Sequence, residues 1–167
     1  LSSIEVDAVS DLLLRARRVL VVGVGSSAYI AGDLYHKLVR LGLDVVTTRD
    51  PHMIAIHSAH LSASDVMICV SHSGESEAIL QAFEVFSSPP PAVVAMTSYP
   101  HSALAGRCDH ILLSSSQETS FRPDAMSSRI IQLVITDIIT VQCTIKLGPE
   151  ARLKTERSRI AVARQKR

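Results

Sequence analysis

Five short apolar runs separated by stretches of helical period constrain this chain more than any other feature of it. The runs are Arg18–Val24, Asp44–Thr48, Asp65–Val70, Ala92–Met96 and Asp109–Leu113. They are dense in Val, Ile and Leu, and the third is continuous in apolar residues, the pattern of a strand covered on both faces. Between them lie helical segments: about 26–41, closed by Gly42 as a C-cap; one opened by Asp50 as N-cap with Pro51 in its first turn; Glu75–Phe86; and a short one near 102–105. The Pro89-Pro90-Pro91 run breaks the chain before the fourth strand. Alternation without long polar linkers calls for parallel strands joined by right-handed crossovers. The expected fold is α/β, a three-layer α-β-α sandwich with a five-stranded parallel sheet in the flavodoxin-like order 2-1-3-4-5.

The remaining segments complete a single domain over 1–167, with a leading helix over about 1–17, a core over 18–147 and a basic C-terminal helix or tail over 148–167. Residues 114–124, SSSQETSFRPD, read as a polar loop, and 125–146 as one long helix. Apolar positions 126, 130, 133, 134, 138, 141 and 145 form one stripe on that helix, and 131, 135 and 139 form a second. A helix apolar on two sides must be covered on two sides, by its own sheet and by either a neighbouring helix or another subunit; of these a homodimer through 125–146 is the favoured expectation. The stretch Ile130–Ile145 contains Gln132, Asp137 and Gln142 and is too short to cross a bilayer.

Seventeen Lys plus Arg against sixteen Asp plus Glu leave a net charge of +1, so no overall field attracts nucleic acid. The seven basic residues from Arg152 onward read as a solvated terminal helix. Cys69, Cys108 and Cys143 are odd in number and widely spaced, as small buried hydrophobes in a reducing compartment would be, and no metal motif is visible. Acids precede the apolar cluster at the N-terminus, the reverse of a secretory signal. The expectation is a cytoplasmic protein with neither metal nor cofactor.

Ligands of open parallel sheets sit beyond the carboxyl ends of the strands, where strand order reverses. Strand one runs into Gly23-Val-Gly-Ser-Ser-Ala28 and strand three into Ser71-His-Ser-Gly-Glu-Ser76, so both loops face one crevice. Each combines glycine, which permits tight turns and close approach, with hydroxyls just before a helix. Hydrogen bonds to a charged group contribute about 1.5–3 kcal/mol each, so a few hydroxyls hold a phosphate without the Lys and Arg that both loops lack. Ser26 and Ser73 taken singly are ordinary N-caps, but hydroxyls in two co-located loops point to an anion with hydroxyls of its own. The first loop also fits G-x-G-x-x-A, with Asp44 or Asp50 near the dinucleotide spacing. A hydride enzyme does not require the second, more distinctive loop.

The pair GVGSS and SHSGES resembles the signature of sugar isomerase (SIS) domains, which bind phosphosugars in a fold of this kind. Phe121–Leu133, followed by Asp137, is similar more narrowly to the effector domain of RpiR-type bacterial transcription regulators. That resemblance implies a phosphosugar effector and DNA binding only through an N-terminal helix-turn-helix domain preceding Leu1. It makes Ser27, Ser71, Ser73 and Ser76 the expected ligand contacts, with Ser26 and the Gly74 backbone beside them. His72 lines the crevice with no assigned task. An aldose-ketose isomerase is the alternative; it needs a carboxylate base, for which Glu118 in the loop after strand five is the candidate, although ligand hydroxyl binding is its favoured role. Glu75 and Glu77 are expected to begin a helix, where the dipole favours acids.

Overall fold

The computed structural model of the chain describes residues 1–114 and 126–166. A helix, α1 (Ser3–Arg15), leads into β1 (Val19–Gly23), α2 (Ser27–Arg40), β2 (Val45–Thr48), α3 (Pro51–Ala59), β3 (Val66–Val70), α4 (Glu77–Ala82), β4 (Ala92–Thr97) and β5 (His110–Leu113). Helices α5 (Met126–Leu147) and α6 (Pro149–Ala163) follow. The five strands form one sheet in the order β2-β1-β3-β4-β5, and every pairing is parallel.

Alternation along the strands builds two cores. Val19 and Val21 of β1, with Val66, Ile68 and Val70 of β3, face α1, α2 and α5, where Leu13, Leu34, Leu38, Ile135 and Ile139 are buried. Leu20 and Val22, with Met67 and Cys69, face α3 and α4, where Ile54, Ile79 and Ala82 are buried. Strands buried on both faces explain why the runs carry no polar alternation. Cys69 and Cys143 are buried and Cys108 half-buried, all as free thiols.

Local chemistry sets the helix ends. Asp50 accepts the Met53 amide at 3.0 Å with Pro51 in the first turn, as the sequence predicts. Helix α4 is shorter than the expected Glu75–Phe86: it opens at Glu77 and passes into a 3-10 turn at Phe83–Val85. The expected helix near 102–105 is a 3-10 turn at Ala105–Arg107. Helix α6 makes 148–167 more than a tail: Ala151 is buried, and the Ser158 hydroxyl donates to the Arg40 carbonyl at 3.2 Å.

Helix α5 spans 22 residues, and its portion Ser127–Leu147 is long and apolar enough to cross a membrane, beyond what Ile130–Ile145 alone suggests. One side of it, Ile135, Ile139 and Cys143, lies in the protein core. The other, Ile130, Leu133, Val134, Ile138, Val141 and Ile145, is exposed. Lys37 of α2 ties this helix to the first loop's helix: its Nζ lies 2.6 Å from both Asp33 and Asp137 and donates to Thr136 Oγ1 at 2.9 Å. Burial works against the Lys37 charge, but the two carboxylates hold its pKa above the ordinary lysine value.

Candidate functional site

Strands β1 and β3 are neighbours at the point of reversal, with Gly23 in register with Val70, so the loops that leave them emerge side by side. This brings Ser26 and Ser27 into the loop next to the one that carries Ser71, Ser73, Gly74 and Ser76. Glu118 lies outside the described residues.

The first loop is shaped by glycine. A Cβ at Gly23 would stand 2.6 Å from the Ser27 carbonyl oxygen, so only glycine lets α2 start this close to the end of β1. Gly25 has φ 59°, in the left-handed region that glycine occupies without strain. Ser27 is buried at the first turn of α2, while Ser26 is exposed. Ser26 makes no side-chain cap, so the N-cap explanation for this serine does not hold, and its hydroxyl is not consumed by the helix.

The second loop is held from both sides. Its start is fixed by the Ser71 amide donating to the Met96 carbonyl at 3.0 Å, and the His72 carbonyl accepts from the Ser98 amide at 3.0 Å and Thr97 Oγ1 at 3.1 Å. Gly74, at φ 70°, accepts the Leu104 amide at 3.0 Å. A Cβ there would overlap the Ser102 side chain and come within 3.1 Å of Thr97 Oγ1. Glu75 does not begin α4; its Oε1 accepts the Ala103 amide at 2.8 Å and pins the loop to the segment after β4. Glu77 does open the helix, and accepts from Gln81 at 2.9 Å.

Within this frame the hydroxyls are poised as donors. Ser71 Oγ accepts the Gly74 amide at 3.1 Å and Ser73 Oγ accepts the Glu75 amide at 3.2 Å. A serine oxygen that accepts from the backbone keeps its own O–H to donate, the polarity an anion needs. Because α4 is six residues long, its dipole contributes less than the expected longer helix would, and the hydroxyls carry the loop's affinity for an anion.

His72 has more structural work than its sequence position suggests. Its Nδ1 lies 3.0 Å from Ser98 Oγ, which donates to the Ser114 carbonyl at 3.2 Å; Ser114 Oγ in turn accepts from buried Gln132 of α5 at 3.1 Å. Among the described residues the buried Gln132 Oε1 atom has no hydrogen-bond partner. The carboxyl-end rule that singles out the loops after strands one and three applies equally to Ser98 and Ser114 after strands four and five, and it was the available signal for them. A cavity of about 430 Å³ opens beside the second loop, lined by His72, Ser73, Glu75, Tyr99, His101 and Ser102 together with Pro100. Among the described residues no group of three or more His, Cys, Asp or Glu side chains could hold a metal ion.

A doubly covered parallel sheet with hydroxyl-rich loops at its reversal point defines an α/β domain with a candidate site at the carboxyl ends of β1 and β3. The chain belongs to the SIS domain family, whose model matches residues 12–142. It is 34% identical to an uncharacterized HTH-type transcriptional regulator of Thermotoga maritima, over 99% of this chain and 60% of that relative's length. The structure is similar to that of Vibrio vulnificus NanR complexed with ManNAc-6P, with a TM-score of 0.89 and 21% identity, covering 98% of this chain and 62% of that one. It is also similar to the sugar isomerase domain of an RpiR transcription factor from Sphaerobacter thermophilus, with a TM-score of 0.82 and 21% identity, covering 94% of this chain and 86% of that one.

Proposed function

We propose that this chain is the phosphosugar-sensing domain of an RpiR-type transcription regulator of sugar metabolism. Ser27, Ser71, Ser73 and Ser76 grip the sugar phosphate, with Ser26 and the Gly74 backbone beside them. The observation that carries this reading is the second loop: serine oxygens that accept from their own backbone and keep their protons for an anion, in a loop held by its own hydrogen bonds. Likeness to a regulator of the HTH type supports a sensor over an enzyme. DNA is contacted by a helix-turn-helix domain outside this sequence, the regulator acts in the cytoplasm, and the exposed α5 stripe joins two copies into a homodimer.

Thermal-shift titration with sugar phosphates tests the reading. A saturable rise in melting temperature, lost in the Ser71→Ala/Ser73→Ala double variant, is the expected result. NMR of the same mixtures separates sensor from isomerase: the sensor leaves the sugar unconverted, and aldose-ketose turnover at enzymatic rates would replace this reading with the isomerase one.

A further inference from the structure

We propose that the cavity beside the second loop seats the carbohydrate ring of the ligand, with Tyr99 as the face on which the ring stacks. The proposal rests on the reading of 71–76 as the phosphate grip and adds to it a wall that discriminates sugar from bare phosphate. The cavity is continuous with that grip, since His72, Ser73 and Glu75 belong both to the loop and to the cavity lining. At about 430 Å³ it is within the range of small-ligand pockets.

Tyr99 stands half-exposed there, an aromatic surface left open to water at the edge of a polar site. Its position is fixed by its surroundings. The Tyr99 amide donates to Thr97 Oγ1 at 3.3 Å, and its carbonyl accepts from the Ser102 hydroxyl at 2.9 Å. The His72 ring meets its ring edge-on, with centroids 5.5 Å apart and planes at 74°. His72 is itself anchored through Ser98 at 3.0 Å. Pro100 follows directly and stiffens the segment. An aromatic ring held this way costs little entropy when a ligand settles on it.

A pyranose or furanose presents one face of C–H bonds, which complements the electron-rich face of an aromatic ring, while its hydroxyls point outward. Glu75 lines the same cavity and commits only Oε1 to Ala103, so Oε2 can accept from such a hydroxyl. Inorganic phosphate has no face to stack and gains nothing from Tyr99.

Calorimetric titration of the whole chain with inorganic phosphate, glucose 6-phosphate, fructose 6-phosphate and N-acetylmannosamine 6-phosphate tests this. For the tightest of the sugar phosphates, Tyr99→Ala should weaken binding about tenfold and Tyr99→Phe less than about threefold, with phosphate affinity unchanged in both. Unliganded melting temperatures within about 2 °C of the parent chain would confirm that an exposed ring, not the fold, was removed. If Tyr99→Ala binds the sugar phosphate as the parent chain does while Ser71→Ala/Ser73→Ala does not, the stacking face is overturned and the phosphate grip stands. Loss of phosphate binding in Tyr99→Ala also overturns it, by assigning the ring a role in loop shape. Binding of no sugar phosphate by the parent chain overturns both proposals.

Discussion

At the scale of single residues, Gly74 bears the greatest constraint. Its backbone is left-handed and its missing side chain is the space that Ser102 fills. Gly74→Ala should lower stability by about 3 kcal/mol in urea denaturation, combining left-handed strain with overpacking. Asp65, just before the central strand β3 and so at the end of the sheet away from the two loops, is a structural carboxylate. Burial opposes its charge, but Arg17 at 2.7 Å and the Ser62 amide and hydroxyl more than offset this and hold its pKa below the ordinary aspartate value. A depressed carboxylate stabilises the fold above its unfolded pKa, about 3.9, and that stability disappears as pH falls through the folded value. Asp65→Asn should therefore be less stable by about 2 kcal/mol at neutral pH, and the difference should close in acid unfolding curves below pH ~4. Burial also raises the thiols, Cys69 well above its usual value, Cys108 to about 12 and Cys143 to about 11. Iodoacetamide at pH ~8 should label them only after unfolding, which mass spectrometry of native and denatured samples checks.

Elements were legible in the sequence where their cause is local. The strands announce themselves because a strand covered on both faces needs apolar residues throughout, and the Asp50-Pro51 cap is complete within four positions of its Met53 partner. The ends of helix α4 were not, because the sequence around Phe83 keeps a helical period while the structure tightens there into a 3-10 turn. The role of Glu75 could not be read either, since its partner Ala103 is 28 residues away. The same holds for Lys37, which reaches Thr136 across 99 residues. In the candidate site, the glycines and serines of both loops were visible as a pattern, whereas Tyr99 is a lone aromatic whose meaning depends on what surrounds it. Helix α5 invites the test that belongs to this scale. Its exposed apolar stripe, if it joins two copies, is broken by Val134→Glu with Ile138→Glu, and analytical ultracentrifugation should then find monomer where the parent chain sediments as dimer.

Across the whole molecule, ligand binding must appear as added stability, because a sugar phosphate that recognises only the folded state shifts the unfolding equilibrium by mass action. At a ligand concentration a hundred times Kd the gain is about 2.7 kcal/mol. For a domain of this size that corresponds to a rise of roughly 5–10 °C in melting temperature. The strand order adds a further consequence. Helix α2 leaves the first loop onto the face of the sheet that carries α5, while α4 leaves the second loop onto the other face. A molecule lodged between the loops would therefore be a rivet through both outer layers of the sandwich. Its arrival would be felt on the α5 side by way of α2 and the Lys37 cluster, so slowed amide exchange should reach helices on opposite faces of the sheet.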